Sequence, residues 1–462
     1  MAERSKITDF SSEYKHFIEK YVLSLMGIPK SITLKICHDN SSFPVVDASV
    51  HYDSEKKTLY FLADKSYYFY LEYKRGVSQD SIRLARCICS AFFAISEFNY
   101  NPNSRRQKKT TFYSPSHRNS VYQAAVQRGI CSWIIPDNND SVDELFSALE
   151  KWAVQTYEGR KVTFGFVIDP SDKTPSPLPR NGWLDFLAND YSAVFTDCIH
   201  SLIKLNQNCE FVEFLSLTKN GTIPEYKLSP LLPIRFAHCI DTHITTSPGS
   251  IGVFLLNNGD IILSKRGPEG GEIKLVKRNL HWLNFSYEAF HSAIQQCYSC
   301  YDETIDPLLK EVYATMLDVS FAHTGGIIAI VSDDLKEHGS GECILNEYDD
   351  LTASPQGAID TDSRKMKNLK RQIVMSLVDN RPFIDIDRKL RSELTAMDGA
   401  CILTPKGQII AFGAIIRNKS GSAGGGRSAA CEALSDHGMA IKISTDGYVE
   451  LYIDRKVVYE VK

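Results

Sequence analysis

The sequence predicts an α/β protein: a C-terminal twisted mixed sheet flanked by helices, preceded by α/β structure of a different pattern. Three observations predict it. Residues 326–331 (GIIAIV) form a continuous apolar run of strand length, as in a sheet buried on both faces. Residues 119–168 alternate helical and strand-like periodicity, the pattern of a sheet covered by helices. The last residues, from about 440 onward, repeat short β-prone runs separated by turn residues, the pattern of a strand meander.

In the first half, residues 12–25 place apolar side chains at helical spacing. Residues 58–62 and 67–73 are aromatic and β-prone and predict strands, and residues 81–93 predict a largely buried helix. Residues 120–128 predict a helix ended by Gly129, and residues 130–135 a short strand stopped by Pro136. Ser141 and Glu144 have capping-box spacing ahead of a helix whose inner face carries Leu145, Leu149 and Trp152. Residues 162–168 predict the next strand. Residues 169–182 (DPSDKTPSPLPRNG) carry four prolines and predict a linker, with a second break near 224–233. Asn257-Asn258-Gly259-Asp260 lies between apolar runs and predicts a hairpin with a primed turn.

The last third follows a clearer plan. Asp306 is expected to cap a helix with Pro307 in its first turn and Leu309, Val312, Met316 and Val319 inside. Residues 363–378 predict an amphipathic helix whose core stripe is Met366, Leu369, Ile373 and Leu377, with Lys367, Lys370 and Arg371 elsewhere. Residues 400–403 and 408–416 pair across Thr404-Pro405-Lys406-Gly407. A short helix at 427–434 precedes strands at 440–444, 448–453 and 457–461. The expected organisation is an N-terminal α/β domain over residues 1–175, a connecting region with a hairpin over 176–300, and a C-terminal α/β domain over 301–462.

Bulk properties narrow the function. A chain of 462 residues has room for two or three domains. A formal net charge of -4 offers no basic excess, so bulk electrostatics support neither nucleic-acid nor membrane-surface partners. The run Arg105-Arg106-Gln107-Lys108-Lys109 reads as a solvated loop. No signal-peptide pattern opens the sequence and no apolar run approaches a bilayer span, so the expected location is cytoplasmic. The 12 cysteines are scattered, which fits reduced thiols rather than a disulfide framework. Cys297 and Cys300 have CxxC spacing but no second pair to complete a zinc site.

Two features carry chemistry. Asp398-Gly399-Ala400 sets a carboxylate at the entrance to a strand, and sheet ends are where ligand crevices form in α/β folds. Gly399 permits close approach of another group to the backbone. The second feature is the glycine-rich run from Gly421 through Gly424, Gly425 and Gly426 to Arg427 and Ser428, which leads directly into a helix. Free N–H groups at a helix start, with the helix dipole behind them, suit phosphate oxygens. Arg427 adds a bidentate donor. Each feature alone is equally a turn or a flexible connection, and no Walker A pattern is present.

Together with their order in the chain, these segments resemble the diadenylate cyclase family. Domains of that family carry Asp-Gly-Ala at a strand start and, about thirty residues later, Arg-His-Arg-Ala-Ala opening a helix. This chain has Asp398-Gly399-Ala400 and then Gly426-Arg427-Ser428-Ala429-Ala430, so only Arg427 remains of the basic triplet. Thr324-Gly325-Gly326 and the segment from Ile441 to Gly447 resemble further strands of the same domain. The resemblance implies ATP or a related nucleotide as substrate, Mg²⁺ or Mn²⁺ as cofactor, and a homo-oligomer in which two domains face each other. By carry-over Asp398 is the catalytic carboxylate and metal ligand. Gly399 and Ala400 line the nucleotide, and Gly424, Gly425, Gly426, Arg427 and Ser428 hold its phosphates. The expected function is condensation of nucleoside triphosphates into a cyclic dinucleotide such as cyclic di-AMP, regulated by the N-terminal region. The reduced basic triplet leaves open a silent relative that binds a nucleotide without turnover.

Overall fold

The structure, a computed structural model, describes residues 12–28, 32–38, 49–64, 67–73, 76–99, 115–178, 186–187, 189, 192, 194–198, 200–216, 229–234, 236, 240, 249–267, 270–332, 343–352, 362–417 and 425–462. The chain divides into two compact units: residues 1–227 with 238–286, and residues 228–237 with 287–462.

Unit 1 contains two main sheets. Strands β1 (Lys35–Cys37), β2 (Val50–Asp53), β3 (Thr58–Asp64) and β4 (Tyr67–Glu72) form an antiparallel sheet in the order β1-β4-β3-β2. Alternation turns Leu59, Phe61, Phe69 and Leu71 into the main core. Helices α1 (Gln79–Asn99), α2 (Pro115–Ile134) and α3 (Asn139–Ala153) follow, and then a short hairpin of β5 (Thr156–Tyr157) and β6 (Arg160–Lys161). Leu145, Leu149 and Trp152 of α3 are buried as their spacing predicts. Strands β7 (Phe164–Ile168), β8 (Ser201–Leu205), β9 (Phe211–Ser216), β10 (Ile251–Leu255), β11 (Ile261–Gly267), β12 (Gly270–Arg278) and β13 (His281–Leu283) complete the second sheet. Its order is β13-β12-β11-β10-β7-β8-β9, with β7 and β8 parallel.

Several expectations change here. Residues 130–135 are helical up to Ile134, not a strand. Gly129 is not a helix end. A Cβ there would lie 2.4 Å from Ile88 Cα, so the glycine lets α1 and α2 pack closely. Ser141 sits inside α3, and its hydroxyl donates to Asn138 Oδ1 at 2.7 Å instead of capping from outside. Residues 176–300 are not a separate connecting region, because they supply six of the seven strands of the second sheet. The proline-rich stretch after Ile168 is a connection within that sheet, since β7 pairs directly with β8. The hairpin at β10–β11 forms, but of its turn residues only Gly259 takes a positive φ, 89°. The basic run at 105–109 lies outside the described residues.

Unit 2 is built on one mixed six-stranded sheet. Its elements are α4 (Tyr287–Cys297), α5 (Asp306–Ala322), β14 (Gly326–Val331), α6 (Asp362–Val378), α7 (Arg388–Thr395), β15 (Ala400–Leu403), β16 (Ile409–Ala414), α8 (Gly426–Ser435), β17 (Gly438–Ile443), β18 (Val449–Ile453) and β19 (Lys456–Val461). The strand order is β16-β15-β14-β17-β18-β19. Only β14 and β15 run parallel. Leu309, Val312, Met316 and Val319 of α5 are buried as expected. The Asp306 carboxylate does not cap its helix; it accepts from Tyr301 Oη (2.8 Å) and lies 2.8 Å from His291 Nε2. The segment 228–237 joins this unit through Ile234, whose N–H donates to Asp318 Oδ1 at 2.8 Å, and through Arg388, which donates to the Leu232 carbonyl at 2.6 Å.

Helix α6 reverses its expected orientation. Met366 (67%) and Ile373 (52%) are exposed, as are Leu369 and Leu377, while Val374 and Val378 are buried. Two cations hold the inner face. Lys370 donates to Asp349 Oδ1 (3.3 Å), and Arg371 to the Asp350 carbonyl (3.0 Å). The apolar stripe Met366, Leu369, Ile373 and Leu377 stays exposed, and the hydrogen bonds of Lys370 and Arg371 accompany the burial of Val374 and Val378. None of the described helices is long and apolar enough to cross a membrane.

Candidate functional site

The parallel pair β14 and β15 sets the frame of the site. Their register places Ile328 beside Cys401 and Ile330 beside Leu403, so Gly326 and the Asp398-Gly399 turn start the two strands side by side. Strand β17 runs antiparallel to β14, with Gly326 opposite Ile443 and Val331 opposite Gly438. Helix α8 ends just before β17 begins, so the start of α8 lies back toward Gly326.

Close contacts tie these pieces together. Gly325 has φ 75°, and a Cβ there would lie 3.2 Å from Arg427 Cζ, so the guanidinium rests on the backbone ahead of β14. A Cβ on Gly326 would lie 2.6 Å from the Thr395 carbonyl oxygen, at the end of α7 and three residues before Asp398. Asp398, Arg427 and the α8 amino terminus therefore gather at the amino ends of β14 and β15. Ligand crevices in open α/β sheets form at carboxyl ends, so the general rule behind the expectation for Asp398 does not apply here.

Asp398 is exposed, and Arg427 is half-buried. Neither side chain makes an ion pair or hydrogen bond with another described residue. The helix start is also open. Gly425 occupies the N-cap with φ 85°, and no side chain caps it. The first helical bond runs from Ala429 N–H to the Gly425 carbonyl at 3.1 Å, which leaves the N–H groups of Gly426, Arg427 and Ser428 without helical acceptors. A Cβ at Gly425 or Gly426 would meet nothing within 4 Å. Gly424 lies outside the described residues.

The other expected site residues have structural work. A Cβ at Gly399 would lie 2.4 Å from the Gly413 carbonyl carbon, and φ is 111°. The close approach that glycine permits is thus to the neighbouring strand β16, not to a ligand. Ala400 is fully buried among Ile327, Ala411 and Ala414 and offers no surface to a nucleotide. Ser428 is 2% exposed, and its hydroxyl accepts from Lys442 Nζ at 2.8 Å.

Two residues near the site escaped the sequence reading. Lys370 lies 3.4 Å from the Gly413 carbonyl and so flanks the Asp398 turn from α6. Its sequence signal was ambiguous, because α6 has two plausible inner faces. Lys442 underlies α8 and pairs with Glu450 Oε2 at 2.7 Å. That pair was legible: a hairpin centred on Thr445-Asp446-Gly447 sets Lys442 directly opposite Glu450. Burial raises the Glu450 carboxyl, but Lys442, Lys462 and the Tyr452 hydroxyl outweigh it and bring the value down to about 2. This network uses up the positive charge of Lys442, so at the start of α8 Arg427 is the described cation that remains open to a ligand.

The thiols offer little. Cys401 and Cys431 are buried, and burial pushes both well above the ordinary thiol value. Cys297 and Cys300 are exposed rather than buried. Among the described residues no group of three or more His, Cys, Asp or Glu could hold a metal ion. Of the expected site residues, Asp398 is the one that carries a carboxylate, and it is exposed. That donor set fits Mg²⁺ or Mn²⁺ only when phosphate oxygens and water supply most of the shell, which is the usual way Mg²⁺ is bound.

Compared with models of protein families and with curated proteins, the chain matches none.

Proposed function

We propose that unit 2 binds a nucleoside triphosphate at the amino ends of β14 and β15 and condenses two such nucleotides into a cyclic dinucleotide. One observation carries the reading. Among the described residues the Arg427 guanidinium and the Asp398 carboxylate have no ion-pair or hydrogen-bond partner, and both belong to segments that start at the same sheet end as an uncapped helix. Left-over donors of this kind suit phosphate oxygens. Among the described residues the Asp398 carboxylate has no partner that explains it.

In this reading the amides of Gly426 and Arg427 and the Arg427 guanidinium hold the phosphates. Asp398 orients the 3′-hydroxyl of one nucleotide toward the α-phosphorus of the nucleotide on a second copy. The oxygen–phosphorus bond forms as the bond to pyrophosphate breaks, and the hydroxyl proton passes to Asp398 or through it to water. Repeating the step in the other direction closes the ring. Asp398, together with phosphate oxygens, would hold a divalent metal, which would supply charge neutralisation at the phosphates. Self-association of the protein is part of the proposal, because one site holds one nucleotide.

A second reading, a nucleotide-binding domain without turnover, is favoured by the fate of Ser428. Its hydroxyl is committed to Lys442, which among the described residues at the start of α8 leaves the Arg427 side chain to meet a phosphate. Incubation with ATP and Mn²⁺ followed by mass spectrometry separates the two. Pyrophosphate and a cyclic product that vanish in Asp398→Asn support the enzyme. Calorimetric binding without product, lost in Arg427→Ala, supports the silent relative. Absence of both sinks the nucleotide reading altogether.

A further inference from the structure

The four-stranded sheet of unit 1 has an unusual second face. One face packs into the main core through Leu59, Phe61, Phe69 and Leu71. On a half-covered antiparallel sheet the other face ordinarily carries polar side chains. Here it carries Tyr60 and Tyr68, both buried, and the half-buried Tyr70, which form a small cluster apart from the main core. Their ring centroids lie 5.7 Å (Tyr60–Tyr68), 6.1 Å (Tyr68–Tyr70) and 6.4 Å (Tyr60–Tyr70) apart. His51 stacks on the far side of Tyr60 at 6.4 Å. The three tyrosines line a groove of about 670 Å³, inside the size range of small-molecule sites.

The described lining residues give the groove a net positive charge. Its one carboxylate among the described lining residues, Glu72, is paired with Lys35 (Nζ–Oε1 2.8 Å). Lys56 and Lys57 line the groove from the exposed turn ahead of β3. Lys56 is only loosely tied to Asp53, at 3.8 Å, and the Lys57 ammonium has no ion pair among the described residues. An aromatic floor with two available ammonium groups at its rim matches a planar ring that carries a compact dianion.

We infer that this groove binds a nucleoside monophosphate, with the base against Tyr70, which the buried Tyr60 and Tyr68 support from beneath, and the phosphate at Lys56 and Lys57. Base–tyrosine stacking supplies the apolar part of the affinity, and the lysines supply the charged part. The site belongs to unit 1 and does not depend on the reading of unit 2. It gives the N-terminal region a ligand of its own.

The test is calorimetry on the full chain carrying Arg427→Ala, which removes the phosphate-facing cation of unit 2. AMP, GMP, CMP and UMP are titrated separately, each beside its nucleoside. At least one monophosphate is expected to bind at one site per chain. Tyr70→Ala should weaken it at least tenfold. Lys56→Glu with Lys57→Glu should do the same to the monophosphate while changing the nucleoside less than twofold. These two lysines lie in an exposed turn, so the charge variant stays folded even where Tyr70→Ala does not. No binding of any of the four, or binding that ignores the lysine variant, overturns the inference. Equal losses for monophosphate and nucleoside also overturn it, because the lysines would then not be reading the phosphate.

Discussion

Gly399 and Gly426 flank the same sheet end, yet they are glycines for opposite reasons. Gly399 is filled from outside: the backbone of Gly413 stands where its side chain would be, and its φ of 111° is closed to other residues. Gly426 is empty on that side, with nothing within 4 Å of the place a methyl group would take and a helical backbone that any residue accepts. A glycine in a motif is therefore ambiguous until its neighbours are known. The packed glycine builds the turn that presents Asp398. The open glycine leaves room above the α8 amides.

The contrast can be broken most forcefully by methyl groups. Gly399→Ala is expected to cost unit 2 about 3–5 kcal/mol, from backbone overlap and a disallowed φ together. Hydrogen-exchange protection of β15 and β16 should collapse. Gly426→Ala should leave the same protection within about 0.5 kcal/mol of the parent, since it meets open space. Comparable losses in the two variants would erase the distinction.

Arg427→Ala sharpens the ligand side of the comparison. It removes a charge-assisted contact and should weaken nucleotide binding by about 1.5–3 kcal/mol, read by calorimetry, with the melting of unit 2 unchanged. A change in melting without a change in affinity would make Arg427 a packing residue for Gly325.

The Glu450 network under α8 makes a pH prediction. Its carboxyl is depressed in the fold from 4.5 to about 2. A depressed carboxylate contributes stability that is present above the unfolded value and is lost as pH falls through the folded one. Unit 2 should therefore lose stability between pH 4.5 and about 2, and Glu450→Gln should flatten that part of the curve while lowering stability at neutral pH. An unchanged acid profile in the variant would remove Glu450 from the account.

The smallest effect concerns α6. Ile373→Ala, on the exposed stripe, should change stability by less than about 0.5 kcal/mol, whereas its buried neighbour Val374→Ala should cost about 1–2 kcal/mol. Urea titration decides between the faces. The reverse ranking would restore the inner face that hydrophobic spacing alone suggests.

That helix shows where the sequence stops being legible. Strands β14 to β19 could be read because continuous apolar runs and turn residues leave one assignment. On α6, two apolar stripes compete, and the choice was made by Asp349 and the Asp350 carbonyl, which local periodicity does not register. At Gly129 a helix-ending residue was instead an inter-helix contact with Ile88, 41 positions away. The site divides the same way. The placement of Asp398 at a strand entrance and of open amides before α8 follows from local pattern. The burial of Ala400 and the capture of Ser428 by Lys442 depend on strands distant in sequence.

The central claim is that the Asp398 turn and the start of α8 serve one ligand. Hydrogen-exchange mass spectrometry with a non-hydrolysable ATP analogue and Mg²⁺ tests it most directly. Peptides spanning 396–403 and 424–430 should become protected together, with the same dependence on nucleotide concentration. Protection of one peptide without the other, or of neither at saturating analogue, would contradict the shared site.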